Sequence, residues 1–340
     1  MPVTIKDVAR MSGVSISTVS RVINDSKPVS SNIRDRVFKV IEETGYVPNP
    51  VARSLVMKKS QLIGVITPGS SQYTMSEFLN GVEEIARMYE YDTILCNTYC
   101  ESSKEIAYVD LLKSKQVAGI IFITQNINEE LDKKLKKSAI PTVYYTLGTP
   151  MIPGIDYVDV DRVEAFVKLI EKVTDKDDRD IIYLRPEKKE DDYKESSKEE
   201  ILKKALKKKN IKLSKCKIIY GADTVEKTYK LVESAMKKNK NIKSIISSID
   251  EATLGSLYYL QDNGKAVPDD VKVAQVYETQ ITKIIRPGIT SISLPLYDMG
   301  AVCARMIVKD IENREKSKEK KINEMILPYT LVERKSTLNN

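Results

Sequence analysis

The 340-residue chain contains no histidine. That absence removes Ser-His-Asp and Cys-His catalysis, His-ligated metals and the usual general base near neutral pH. Cysteine is sparse: Cys96, Cys100, Cys216 and Cys303. Cys96 and Cys100 lack the C-x-x-C spacing of a thioredoxin-like redox site, so reduced, mostly buried thiols are expected. There is no run of 18 apolar residues to span a membrane. The N-terminus has no apolar stretch of the secretory kind, which places the chain in the cytoplasm as an expectation. There is also no Gly-rich phosphate loop, no cluster of metal ligands and no nucleophile–base pair. An enzyme is therefore not expected, nor is any cofactor or metal.

What is present is a soluble globular composition, 41% hydrophobic and 30% charged, on a chain long enough for two or three domains. The net charge of +7 is unevenly placed. Met1 to Ser60 hold ten Lys/Arg against five Asp/Glu, a local +5, so the other 280 residues carry only +2. A small basic head on a nearly neutral body suggests a polyanion-binding module.

The chain opens MPVTIKDVARMSGVSISTVSRVIND. Thr4 can cap a helix from Ile5 to about Met11, with Asp7 favouring its N-terminus. Gly13 permits a left-handed turn. Ser15 can cap a second helix from Ile16 to about Ile23, on which Val19, Val22 and Ile23 are apolar. Two short helices joined by such a turn form the helix-turn-helix pattern. A third helix follows Ser30 or Ser31, buries Ile33, Val37, Val40 and Ile41, and ends near Thr44-Gly45. The outer face of the second helix carries Ser17, Thr18, Ser20 and Arg21. Short hydroxyls and one Arg suit a major groove, where Arg can grip guanine bidentately. Pro48 and Pro50 close the third helix. Val51 to Met57 could form a further helical turn or two, too short to persist in water without a partner.

From Gln61 the pattern changes. Apolar runs at Leu62–Ile66, Thr93–Leu95, Ala118–Ile123, Thr142–Tyr145, Ile181–Leu184, Ile218–Tyr220, Ser244–Ser248 and Val271–Val276 alternate with amphipathic segments such as Met75 to Tyr89 and Glu105 to Ser114. Alternation of this kind predicts doubly wound parallel sheets with helices on both faces. Ligands bind such sheets beyond the carboxyl ends of the strands. The charged run RPEKKEDDYKESSKEEILKKALKKKN reads as a loop and an exposed helix, with Ile201, Leu202, Ala205 and Leu206 as its buried stripe.

Thr4-Ile5-Lys6-Asp7-Val8-Ala9, Val14-Ser15, Thr18-Val19-Ser20-Arg21-Val22-Ile23-Asn24, Gly45-Tyr46-Val47-Pro48-Asn49 and Val51-Ala52-Arg53-Ser54-Leu55 closely resemble the head of the lac-repressor family. The resemblance implies a homodimeric transcriptional regulator, mainly a repressor, on a pseudo-palindromic double-stranded DNA operator. Its second helix would read the major groove. Paired hinge helices would enter the minor groove, where Leu55 would wedge between base pairs. The DNA-contacting residues so implied are Thr4, Ile5, Ser15, Ile16, Ser17, Thr18, Ser20, Arg21, Asn24, Ser30, Tyr46, Asn49, Ala52 and Leu55. The chain would associate with the nucleoid when bound to operator.

For the body, the resemblance implies two subdomains of periplasmic-binding-protein type, joined by three crossings near Asp161, Ser291 and Asn323. The expected division is a head over 1–47, a hinge and linker over 48–60, an N-terminal subdomain over 61–161 plus 292–322, and a C-terminal subdomain over 162–291 plus 323–340. Tyr297 to Asn313 would be a helix of the first, and Met325 to Leu331 a strand of the second. GVEEIARMYEYDTILCN, PLYDMGAV and the C-terminal Leu327-Pro328 with Glu333-Arg334-Lys335-Ser336-Thr337 resemble the branch that controls carbon catabolite genes. Its corepressor is a protein, the phosphocarrier HPr phosphorylated on serine. The implied docking residues are Met88, Tyr89, Tyr297, Asp298, Arg305 and Lys309. Thr330 stands where that branch has a basic residue.

The other reading within the family is a repressor tuned to a small sugar or purine-like ligand in the cleft. Sugar-responsive members show an Arg and a Gly near one helix start, where this chain has Lys194 and Ser196–Ser197. They show an Asp where this chain has Tyr277, whereas Asp250 is retained. These departures predict a weak or unused cleft, with Asp250 and Tyr277 as its candidate effector residues. A solute-binding protein of transport would predict export and no DNA-binding head, and the sequence speaks against both.

Overall fold

The computed structural model describes residues 3–25, 27–47, 60–69, 73–99, 101–124, 129–146, 154–174, 180–187, 193–315 and 322–338. The chain divides into two compact units, Met1–Ser60 and Gln61–Asn340.

Among the described residues, the first unit holds three helices: α1 (Ile5–Ser12), α2 (Ile16–Asn24) and α3 (Ser31–Thr44). The starts of α1 and α2 are fixed by polar contacts at the residue just outside each. Asp7 reaches back to the Thr4 amide at 3.1 Å and the Thr4 hydroxyl at 2.7 Å, which fixes the first turn of α1. The Thr18 amide donates to Ser15 Oγ at 3.1 Å and caps α2. Gly13 takes φ 67°, the left-handed conformation that ends α1 and turns the chain into α2. Val8, Ala9, Val19, Val22, Val37 and Val40 form the core, with Ile33 and Ile41 packed at its edge. The expected hinge helix, with Asn49, Ala52 and Leu55, lies outside the described residues.

Among the described residues, the second unit holds two six-stranded sheets. The first sheet has the order β11-β5-β4-β3-β1-β2, built from β1 (Leu62–Thr67), β2 (Asp92–Asn97), β3 (Gly119–Thr124), β4 (Thr142–Thr146), β5 (Asp156–Val160) and β11 (Glu324–Leu327). All its pairings are parallel. The second sheet has the order β12-β10-β9-β8-β6-β7. It comprises β6 (Asp180–Leu184), β7 (Cys216–Ile219), β8 (Ile242–Ser247), β9 (Lys272–Tyr277), β10 (Thr290–Ser293) and β12 (Thr330–Val332), and only β12 runs antiparallel. Helices α4 (Tyr73–Met88), α5 (Ser102–Ser114), α6 (Glu129–Ser138) and α12 (Leu296–Glu315) serve the first sheet. The second takes α7 (Arg162–Val173), α8 (Tyr193–Lys208), α9 (Val225–Lys238), α10 (Asp250–Asp262) and the short α11 (Gln280–Ile284). Ile201, Leu202, Ala205 and Leu206 are buried, as the helical spacing of the charged run predicts. Cys96, Cys216 and Cys303 are buried free thiols. Burial pushes the Cys216 thiol up to about 12. Among the described residues, no helix is long and apolar enough to cross a membrane.

Two crossings differ from the sequence-based placement. Thr290–Ser293 is one strand of the second sheet, so the second crossing comes at Leu294-Pro295 rather than Ser291. Met325 to Leu331 is not a single strand. Glu324–Leu327 pairs with β5 in the first sheet, and Thr330–Val332 pairs with β10 in the second. Pro328 has no amide to continue the ladder, and the chain changes sheets at Pro328-Tyr329. Leu294 and Tyr329 pack against the cores of both subdomains, as residues at a crossing must.

The C-terminal segment is tied into the second subdomain by an ion pair between Arg334 and Glu278, with Lys283 also 3.3 Å from Glu278. Burial pushes the Glu278 carboxyl up, but hydrogen bonds from Arg334 and Ser293 and the Lys283 charge outweigh it and hold the group below its ordinary value. A depressed carboxylate stabilises the fold above its unfolded value and loses that contribution as pH falls through the folded one. The expected result is a urea midpoint higher for wild type than for Glu278→Gln at pH 7. The gap should close as pH falls below about 4. A gap that is constant with pH would rule out this assignment.

Candidate functional site

On the head, α2 places Ser17 and Arg21 one turn apart in solvent, next to Ile16, which is 45% exposed. Val19 and Val22 point the other way into the core. Arg21 makes no ion pair among the described residues, unlike Arg10 with Asp7 and Arg34 with Asp25. Its guanidinium is therefore available to a base edge. Not every expected contact residue is equally presented. Thr18 and Ser20 are half-buried, and Thr18 Oγ1 lies 2.8 Å from Ser15 Oγ, inside the cap. Ser17 Oγ also lies 2.8 Å from Ser15 Oγ. Thr4 and Ser30 are exposed at the N-caps of α1 and α3. Ile5 and Tyr46 are half-buried against the head's core. Asn24 ends α2, and its side chain lies outside the described residues. The accessible set is a helix face of small polar groups, one apolar residue and one Arg, flanked by helix N-termini that can take phosphates.

On the body, α4 and α12 touch along their backbones. A Cβ on Gly81 would sit 2.0 Å from the Tyr297 carbonyl oxygen, and one on Gly300 would sit 2.0 Å from that of Phe78. Each helix returns the chain to the start of a strand of the same parallel sheet, so the two run in the same direction. Gly81 is level with Ala301, so the end of α4 is level with Arg305 and Lys309. Met88 and Tyr89 are 64% and 44% exposed there. Arg305 and Lys309 are exposed, four residues apart on one helix, and neither has an ion-pair partner among the described residues. Asp298 is also exposed, while the hydrogen bond to Glu84 pushes the Tyr297 hydroxyl above its ordinary pKa. The sequence pattern names these six side chains as docking candidates and does not single out the two glycines that bring their helices together.

The cleft between the subdomains is richer in polar groups than the sequence suggested. The Asp250 carboxylate accepts from Gln275 at 2.9 Å and from Thr279 at 2.6 Å. The Tyr277 hydroxyl accepts from Arg162 at 2.7 Å. The Lys194 side chain lies outside the described residues, but cations are supplied by Arg162, Arg185 and Lys198, all buried. Arg185 pairs with Glu199 at 2.8 Å, and the Tyr220 hydroxyl donates to the same carboxylate at 3.1 Å. Burial works against the Arg162 charge, and Tyr277, Tyr145 and Asp159 outweigh it, so the guanidinium stays protonated. Burial also pushes the Tyr145 hydroxyl up to about 12. Lys198 lies on α8, one turn beyond Lys194, whereas Arg162 and Arg185 come from other elements.

Residues 4–49 match the family model of bacterial regulatory proteins, lacI family, and residues 170–337 match that of the periplasmic binding protein-like domain. Catabolite control protein A of Priestia megaterium is 34% identical over 311 residues, covering 91% of this chain and 92% of that protein. A crystal structure of the transcription regulator CcpA of Lactococcus lactis superposes with a TM-score of 0.66 at 27% identity, over 82% of this chain and 99% of that one. The lac repressor dimer, solved bound to operator and the anti-inducer ONPF, matches over the full length of both chains with a TM-score of 0.81; at 21% identity it shows the shared fold.

Proposed function

The chain belongs to the lacI family of bacterial regulatory proteins, and from that premise we propose a repressor of carbon catabolite genes with serine-phosphorylated HPr as its corepressor. It acts in the cytoplasm as a homodimer on pseudo-palindromic operators, and on the nucleoid when bound. The observation that carries this reading is the exposed Arg305 and Lys309 at one-turn spacing, without an ion-pair partner among the described residues, beside the exposed apolar Met88 and Tyr89. Two cations on one helix face can grip one phosphate, and an apolar pair beside them supplies the area a protein partner needs. The relative in Priestia megaterium is named for catabolite control, which supports the same gene class.

The test is selection of operators from a random duplex library, with and without serine-phosphorylated HPr. One pseudo-palindromic sequence should be enriched and bound more tightly with the phosphorylated form. Calorimetry with hexoses and purines runs beside it, and tight binding of one of them would move control to the cleft. For the head, Arg21→Ala should cost roughly 1–3 kcal/mol on the selected site and relax base preference at one position per half-site. Retention of both affinity and preference would take α2 out of the groove.

A further inference from the structure

Arg162 opens α7 at the first crossing, and only 6% of it is exposed. Toward the first subdomain, its Nε donates to Asp159 at 2.8 Å, and its Nη2 to the Thr146 carbonyl at 3.1 Å and the Tyr145 hydroxyl at 3.4 Å. Toward the second, its Nη1 donates to the Tyr277 hydroxyl at 2.7 Å, at the end of β9. Lys198 stands on the far side of the cleft with its Nζ 5.9 Å from the centre of the Tyr277 ring and donating to the Ser248 carbonyl at 3.0 Å. Tyr277 is thus held by Arg162 through its hydroxyl and lies under both cations through its ring, with the Arg162 guanidinium 5.6 Å from the ring centre.

We propose that Arg162 is a built-in occupant of the inter-subdomain cleft, joining the two halves through bonds that a diffusible small molecule would otherwise have to make. A guanidinium suits the task because its fork can serve both sides at once. Carried on the chain, it closes the cleft without the translational and rotational cost of capturing a ligand. The body is therefore held closed by its own sequence, and the cleft responds little to neutral effectors. The inference stands apart from the HPr reading, since it concerns the body with no partner bound.

Hydrogen exchange by mass spectrometry on the full-length protein, without DNA, HPr or small molecules, tests it. Tyr277→Phe removes one hydroxyl and leaves the Arg162–Asp159 pair in place, so folding is retained. Losing a hydrogen bond to a charged group should speed local opening roughly tenfold or more. The acceleration is expected around the crossings, at residues 292–296 and 328–331, and at 145–146. Exchange in β8, in the middle of the second sheet, should stay at the wild-type rate. Arg162→Lys should give the same local pattern, because one ammonium can pair with Asp159 but cannot also span to Tyr277. Wild-type exchange at the crossings should not slow on adding 10 mM glucose or 1 mM adenine. Equal exchange in wild type and Tyr277→Phe would overturn the latch. So would acceleration spread equally into β8, or marked slowing of the wild type by either compound. A failure of this kind leaves the corepressor reading untouched, because no HPr enters the measurement.

Discussion

Replacing Arg305 by glutamate is expected to abolish the enhancement of operator binding by serine-phosphorylated HPr while leaving operator affinity in its absence unchanged. A phosphoserine carries close to two negative charges at neutral pH and three strong acceptor oxygens. At the end of α4 it would meet Arg305 and Lys309 one helical turn apart, with no carboxylate partner to displace from either among the described residues. Removing one member of a desolvated, hydrogen-bonded charge pair typically costs about 2–5 kcal/mol, and reversing its sign adds repulsion. By linkage, a corepressor that binds more weakly to the DNA-competent state enhances DNA binding by correspondingly less. Labelled operator titrated with wild type and mutant, each with phosphorylated and unphosphorylated HPr, gives the comparison. Equal enhancement by the two HPr forms would remove the phosphate from the mechanism. An undiminished response in the mutant would remove this helix from it.

The head was legible almost to the residue because its signals are local. Caps, a left-handed glycine and a 3.6-residue period all act within a turn or two, and α1, α2 and α3 begin where Thr4, Ser15 and Ser30 place them. The body was legible wherever a strand is an unbroken apolar run. It was illegible where a buried strand is polar. β5 reads DYVDV, and its carboxylates are satisfied only in the folded chain: Asp156 accepts from the distant Asn323 backbone amide at 3.0 Å, and Asp159 holds the nearby Arg162 at 2.8 Å. β10 reads TSIS, and Thr290 is satisfied by Thr337 across 2.6 Å. A polar residue inside a sheet is recognisable only with its partner, and these partners lie from three to well over a hundred residues away. The cations of the cleft are a second case of the same kind. The sequence pattern looked for a cation at the start of α8, while the fold delivers Arg162 from the first crossing and Arg185 from the end of β6.

Gly81→Ala and Gly300→Ala are expected to destabilise the second unit, against what local propensity says. In an isolated helix, Gly to Ala gains about 1 kcal/mol. Here the new methyl would stand 2.0 Å from a backbone carbonyl oxygen, which unlike a side chain cannot rotate away. The helices must separate, and the residues under the contact, Phe78 and Met299, are fully buried. Overpacking costs typically 1–3 kcal/mol even where side chains can adjust, so the clash outweighs the propensity gain. A net loss of about 2 kcal/mol is expected for either change. The double change should fall short of the sum, because one separation relieves both clashes. Urea midpoints measured by circular dichroism read this directly, with Gly69→Ala, which meets nothing within 4 Å, expected within about 0.5 kcal/mol of wild type. The corepressor response should fall further than stability does. Met88 and Tyr89 stand at the end of one helix and Arg305 and Lys309 on the other, so any widening of the contact would pull the apolar and basic halves of the proposed docking surface apart. A Gly81→Ala protein at least as stable as wild type, with its HPr response intact, would show that the two helices do not meet at this distance.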